Sequence, residues 1–380
     1  MSKLKKDLIL LIGVALLSTI FVWLPFFLQI NKFFSISIPQ GGMATIMKNF
    51  DGLYYIIISK SLYIPEAIKT MVSFDLSPFY YSAHFPFFAL LIKLLGTILP
   101  HTWSMLIITL LSSALAVFVF YKFLKDFKLT SNPFFLTLVF LFLPARWLIV
   151  RSVGSAEPTF IALILACFYF FKKEKIWFAA IMGSLAQMTK PPGILIFIGL
   201  LAFILFENRK ILIKDFAKLV KKYYPLLLIP ISLLLVFFYY KVVYNDFFAY
   251  FHSGDNIHLF WPPYQVFNKT AAWVGTIWLE EIIYIFLLGL LGIILLFKKG
   301  LKDLAFFSLV FYLSLIFVSH RDISRYSLPM IPFIIIGFEN AIQKKEFKIA
   351  FYLTLLPIYL YTINFIAGNT LAIADWAPFL

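Results

Sequence analysis

The sequence predicts an all-α, polytopic transmembrane bundle, and three observations carry that prediction. Of its 380 residues, 62% are hydrophobic and only 13% charged, against roughly 45–50% and about 25% in soluble domains. Forty-seven Phe and twenty Tyr exceed what soluble cores of this size can hide. The apolar residues also gather into long runs separated by short charged segments, which is the pattern of membrane-spanning helices.

In chain order the runs cover 8–30, 103–121, 133–149, 158–171, 176–189, 193–206, 223–243, 279–297, 304–319, 327–338 and 349–367, about eleven spans. The first follows Lys3, Lys5 and Lys6 in the manner of a signal sequence. Its apolar stretch is too long for a signal core, and no small-residue cleavage site follows, so a retained first span is expected. The segments between the runs alternate in charge. Residues 1–7, 122–132, 172–175, 207–222, 298–303 and 339–348 hold 21 of the 33 Lys and Arg against 8 acids, a net +13 of the overall +15. Positive loops stay cytoplasmic, which puts the N-terminus inside and the C-terminus outside. The same rule makes 85–100 an interfacial or re-entrant helix on the outer side, because counting it as a span would expose the Lys122–Lys128 cluster outside. Lys93 is expected to reach from it to the lipid headgroups.

This arrangement leaves two long outer loops, 31–102 and 244–278, and short outer turns at 150–157, 190–192 and 320–326. With no linker, low-complexity tract or internal repeat, residues 1–380 form one membrane domain. The net charge is a topology signal, so nucleic acid is excluded as a partner and membrane lipid is the expected surroundings. The single Cys167 permits no internal disulfide and no cysteine metal cluster, and its apolar context makes it a small core residue. There is no phosphate-binding glycine loop, no nucleophile elbow and no His-Glu-x-x-His. The small cytoplasmic loops leave little from which to build a nucleotide site, so chemistry is expected outside, on a substrate delivered by the lipid.

The candidate residues gather on that outer side. Asp51, in Phe50-Asp51-Gly52-Leu53-Tyr54-Tyr55, has two readings. It is a helix N-cap before 53–62, or a general base whose pKa is raised by burial among Phe50, Tyr54 and Tyr55. Glu157, before Pro158, is either a first-turn helix acid or a second active-site acid. His320-Arg321-Asp322-Ile323-Ser324-Arg325-Tyr326 either meets headgroups or binds a phosphate, which guanidinium forks match well. Lys190, in Met188-Thr189-Lys190-Pro191-Pro192-Gly193, is a further cation against the inside bias. His84 and the group His252-Ser253-Gly254-Asp255-Asn256-Ile257-His258 either form a metal site or hydrogen-bond within the loops; their spacing matches no dedicated metal motif, which favours hydrogen bonding. Trp261, Trp273 and Trp278 read as an interfacial aromatic belt.

These residues resemble a known family. One span, a long outer loop with an early Asp, and many short-looped spans look like the GT-C glycosyltransferases. Residues 50–63, FDGLYYIIISKSLY, resemble the W-D-G-x-W-Y-x-x-I-A-x-x-G-Y pattern of PIG-V-type mannosyltransferases. His84-Phe85-Pro86 through Lys93, Ser155-Ala156-Glu157-Pro158, Thr189-Lys190-Pro191-Pro192-Gly193, Asp246 to His252 and Ser324-Arg325-Tyr326-Ser327-Leu328-Pro329 are similar to later motifs of that family, in order, over roughly residues 8–335. Phe50, Tyr54, Leu62 and Lys190 depart from it, standing where the pattern has Trp, Trp, Gly and Arg.

The resemblance implies a polyprenyl-phosphate sugar donor, most often mannose, and inversion at the sugar without a required metal or other cofactor. It implies Asp51 as base and Glu157 as a supporting acid, with Arg325, Tyr326, Lys190 and Arg321 binding the phosphate. Tyr54, Tyr55, His84 and His252 complete the candidate substrate-binding set. The acceptor, whether lipid, glycan or protein, stays open. A lipid-linked sugar flippase or other transporter is the rival; it is disfavoured because transporters place their charges near the bilayer midplane, often in paired repeats. The composition, rich in Lys, Ile and Phe, is that of an AT-rich microbial genome, so a prokaryotic plasma membrane is the expected location.

Overall fold

Inside a bilayer every backbone amide must find its partner within its own segment, so the apolar runs are expected to be helical. They are. The computed structural model describes residues 3–49, 51–71, 76–212, 215–254, 259–274, 279–373 and 375–380. Its helices are α1 (Lys3–Phe27), then α2 (Met43–Met47), α3 (Gly52–Ser61), α4 (Pro65–Met71) and α5 (Pro86–Leu95) in the first loop. The bundle continues with α6 (His101–Asp126), α7 (Pro133–Phe142), α8 (Ala145–Val150), α9 (Glu157–Lys172), α10 (Ile176–Thr189), α11 (Ile194–Glu207), α12 (Arg209–Leu212), α13 (Phe216–Tyr223) and α14 (Leu228–Tyr244). Beyond the second long loop lie α15 (Glu280–Lys298), α16 (Lys302–Leu315), α17 (Ile323–Tyr326), α18 (Ile331–Gly337), α19 (Glu339–Ile342) and α20 (Lys345–Gly368). Among the described residues the only paired strands are Lys32–Phe33 and Ile36–Ser37.

Among the described residues five helical stretches are long and apolar enough to cross a membrane: Lys5–Phe27, His101–Asp126, Phe216–Tyr244, Glu280–Lys298 and Lys345–Gly368. Each occupies one of the expected runs. The other runs hold shorter helices, and 133–149 is not one span. Leu143 is extended and Pro144 precedes a new helix, so α7 stops at Phe142; a proline cannot supply the amide that the preceding turn needs.

α9 is buried almost all round and packs between α6 and α10, with α14 against α10 and α11 against α16. A helix apolar on every face belongs at the centre of a bundle. The periphery is the reverse. Leu17 and Phe21 of α1, Leu235, Phe238 and Val242 of α14, Ile283 and Leu287 of α15, and Leu353 and Leu356 of α20 all point outward. Apolar surface of that extent is not left in contact with water by soluble proteins. The chain is an integral membrane protein.

In the first loop, the 85–100 segment holds the helix α5, which buries Phe88, Ala89 and Ile92. The Lys93 ammonium, expected at the headgroups, donates to the Ser59 carbonyl at 3.3 Å.

Three local features fix the start of α3. Gly52 meets the turn after α8 so closely that a Cβ there would lie 2.7 Å from the Gly154 carbonyl oxygen. The same turn is tied to α1, because Arg151 donates to Ala15 O at 2.9 Å and Ser18 Oγ at 2.7 Å while Trp23 Nε1 donates to Ser152 O at 2.6 Å. Buried Asn49 donates to Thr45 O and to Ile366 O, at 2.9 and 3.0 Å. The latter satisfies a carbonyl in the last turn of α20 that has no partner within its helix. Leu371 N reaches Lys48 O at 2.9 Å, so the end of α20 clasps the segment leading into Asp51.

Candidate active site

Four short stretches far apart in sequence converge on one cluster. Asp51 precedes α3, Glu157 opens α9, Lys190 follows α10, and Arg325 sits in α17. Asp51 does occupy the N-cap position, but its side chain makes no capping bond. It accepts instead from Arg325 Nη2 at 2.7 Å. Glu157 is the first residue of its helix with Pro158 next, as a first-turn acid would be, and its carboxylate is engaged elsewhere. It accepts from Ser155 Oγ, from Lys190 Nζ at 2.5 Å and from Arg325 Nε at 2.6 Å.

One guanidinium therefore bridges two carboxylates, with a lysine on the inner one. The inner carboxylate is deeply buried, with 3% of the Glu157 side chain exposed, whereas 32% of Asp51 is open. A buried charge is tolerable only when paired and hydrogen-bonded, and the four charges here sum to zero. Arg serves where Lys would not, since its planar fork reaches both acids at once.

The electrostatics of Asp51 differ from the expectation that burial raises its pKa. Burial is the largest single influence and does push it up, but Arg325, His84 and Lys190 together with the Arg325 hydrogen bond outweigh it. The carboxyl is held below its ordinary value of 3.8. In this state Asp51 is an ionised, ion-paired carboxylate rather than a poised base. Phe50, also expected beside it, lies outside the described residues.

Aromatic rings line the approach. The buried His84 ring lies 5.4 Å from Tyr54, 5.2 Å from Tyr55 and 5.5 Å from Tyr80 between centroids. Its backbone is fixed by Tyr63 Oη, which donates to His84 O at 2.6 Å.

Two cavities meet at the cluster. A polar one of about 1140 Å³ is lined by Asp51, Tyr54, Tyr55, His84 and Arg321, among others. An apolar one of about 580 Å³ runs between Phe160, Leu195, Leu233, Phe237 and Phe311, with Glu157 at its wall. Lys190, Pro191, Tyr250, Arg325 and Tyr326 belong to both. A greasy slot opening onto a polar chamber through a pair of cations suits an amphiphile with an anionic joint.

Of the sequence-predicted residues, Asp51, Glu157, Tyr54, Tyr55, His84, Lys190, Arg321, Arg325 and Tyr326 all line these cavities. Arg321 has no ion-pair partner among the described residues. His252 is not brought to the cluster. It is exposed and its Nδ1 lies 2.6 Å from Asp246 Oδ2, a hydrogen bond that lowers the Asp246 pKa. Asp255, His258 and Trp278 lie outside the described residues, within which no three His, Cys, Asp or Glu side chains gather as a metal-binding set.

Sequence reasoning missed Arg146, which lines the polar cavity and pairs with Asp322 at 2.7 Å. The signal was there. An arginine inside an apolar run counted as a span, two residues after a proline, marks a functional position by default.

The fold has a counterpart among solved structures. The chain superposes on ArnT from Cupriavidus metallidurans, a GT-C glycosyltransferase whose crystal structure holds undecaprenyl phosphate, with a TM-score of 0.57 at 15% identity. The alignment covers 92% of this chain and 63% of that one, so the protein spans somewhat under two thirds of the neighbour's length. The GT-C-type fold is shared. No family model matches the chain, and no curated protein matches it.

Proposed function

We propose that the protein is an inverting glycosyltransferase that moves a sugar, mannose, from a polyprenyl-phosphate donor to an acceptor hydroxyl on the outer membrane face. The observation that carries the reading is the junction of the two cavities at Lys190, Arg325 and Tyr326. There a prenyl chain would occupy the apolar slot, its phosphate the cationic joint and its sugar the polar chamber beside Asp51. The undecaprenyl phosphate in the ArnT structure supports the same assignment. The ordered motif resemblance supports mannose as the sugar.

The chain's own residues supply a sequence of events. Because the resting cluster is neutral, an incoming phosphate is drawn first by Arg321, which has no acid partner among the described residues. The phosphate then competes with Asp51 for the Arg325 fork. As Nη2 turns from Asp51 to the phosphate, Asp51 loses the strongest influence holding its pKa down, and burial makes it a better base at the moment the donor is bound. The acceptor oxygen gives its proton to Asp51 and attacks the anomeric carbon from the face opposite the phosphate. The carbon–oxygen bond to phosphate breaks, and its electron pair leaves on an oxygen that Arg325 and Lys190 stabilise. Glu157 takes no proton; it holds both cations in place. The reading includes no cofactor or metal, since two fixed cations offset the charge of a leaving group that is already a good one.

Proteoliposomes supplied with undecaprenyl-phosphate mannose and a panel of glycoside acceptors provide the test. Release of undecaprenyl phosphate together with a new mannosidic bond is the expected result. Movement of the lipid-linked sugar across the bilayer with its phosphate bond intact would replace this reading with transport.

A further inference from the structure

The polar chamber has a second furnished wall that the donor does not use. Arg146, in α8, and Asp322, the residue preceding α17, form an ion pair at 2.7 Å whose side chains are only 11% and 13% exposed. Arg146 Nε also reaches Ser324 Oγ at 3.3 Å, and its guanidinium lies 4.0 Å over the Phe365 ring. The contacts to the Asp322 carboxylate from Arg146 and from Ser324, at 2.7 and 3.3 Å, fall on Oδ1. Arg146 Nη1 is buried without a hydrogen-bond partner among the described residues. Asn364 and Tyr361 of α20 line the same part of the chamber.

This wall lies at a defined distance from the chemistry. Asp322 and Arg325 are three residues apart around one helical turn, which separates their Cβ atoms by about 5–6 Å, and Arg325 holds Asp51 at 2.7 Å. A molecule seated on Asp322 would therefore present its next group to Asp51. The pair is internally neutral, so it does not call for an anion. A carboxylate oxygen beside a guanidinium offers an acceptor and donors side by side, matching neighbouring hydroxyls that each donate and accept. The amide of Asn364 adds one more of each. A chamber of about 1140 Å³ also exceeds the need of a single donor sugar.

We propose that Arg146, Asp322 and Asn364 form the acceptor subsite, and that it takes a neutral polyhydroxyl compound, a saccharide or polyol, rather than an anionic headgroup or a peptide. Its role as an acceptor site rests on the transfer reading above; its binding of saccharide does not.

Saturation-transfer NMR on the detergent-solubilised protein tests this without turnover. The probes are neutral methyl glycosides of mannose, glucose and galactose, with phosphatidylglycerol and a serine-containing peptide as the competing classes. At least one glycoside is expected to receive saturation, with the signal reduced at least fivefold in both Asp322→Asn and Asn364→Leu. The Asn364 side chain is exposed and makes no hydrogen bond among the described residues, so the second variant keeps its fold. Absence of glycoside signal, signal that both variants leave intact, or preferential binding of the anionic lipid or the peptide overturns the subsite. Donor cleavage assayed in parallel separates the two claims. Cleavage with no glycoside binding removes the subsite alone, whereas glycoside binding without cleavage removes the transfer reading and leaves a saccharide site.

Discussion

Replacing Arg325 by lysine keeps the charge and removes the fork. The native guanidinium uses Nε for Glu157 and Nη2 for Asp51; an ammonium on a flexible stem can hold one of them well. Glu157 is the more buried acid and already has Lys190, so lysine at 325 is expected to stay with Glu157 and release Asp51. A hydrogen bond between ionised partners contributes about 1.5–3 kcal/mol. Asp51 is one-third exposed and partly compensated by water, so the lower end applies, about 1.5 kcal/mol or roughly tenfold. The sign of the pH effect follows. The Asp51 pKa is depressed in the folded protein, so its stabilising contribution is present at neutral pH and lost as pH falls through that depressed value. With the Arg325 influence weakened, the Asp51 pKa rises. The assay is kcat/KM for undecaprenyl-phosphate mannose from the most acidic pH at which the protein stays folded up to pH 8. Arg325→Lys is expected to lose at least tenfold at pH 7, because the fork that passes from Asp51 to the donor phosphate is gone, and to move the acidic limb upward. A loss under threefold, or a limb that moves down, would refute the forked bridge as the organising contact.

Three further perturbations probe the scaffold and the slot. Gly52→Ala would press a methyl against the Gly154 carbonyl, which has no side chain to swing aside; Asp51 should be displaced, with turnover falling at least tenfold while the protein stays folded by size-exclusion chromatography. Asn49→Ala leaves the Ile366 carbonyl without its donor and should cost about 1–3 kcal/mol, seen as a lower thermal midpoint in detergent. Leu233→Trp, which narrows the apolar slot, should raise KM for a long-chain donor at least fivefold and barely change that for a two-isoprene analogue.

Much of the fold was legible because membrane insertion leaves a strong signal. The apolar runs follow from the absence of water in the bilayer, and the helices fall where those runs lie. Breaks inside runs were less visible. Pro144 reads as one residue in an apolar stretch until the helix is seen to stop at Phe142 and restart at Ala145, and Arg146 was hidden with it. At the site, residue types pointed to Asp51, Glu157, Lys190 and Arg325 because Lys190 and Arg325 fall in segments that the charge rule expects to carry few cations. What the sequence could not show was that these four bind one another. Their pairing reverses the expected direction of the Asp51 pKa, since spacing along a chain says nothing about a partner 274 residues away. His252 illustrates the converse, a motif residue whose nearest acid, Asp246, is six positions back and whose ring turns to solvent.

The most direct test of the account places purified protein and its Asp51→Asn variant with radiolabelled undecaprenyl-phosphate mannose and an acceptor glycoside. The variant keeps the side-chain shape and still binds the donor, but it has no base to receive the acceptor proton, a contribution worth about 10²–10⁴-fold. The account predicts robust transfer by the native protein and a loss of at least a hundredfold in the folded variant. Near-normal turnover by Asp51→Asn would contradict it.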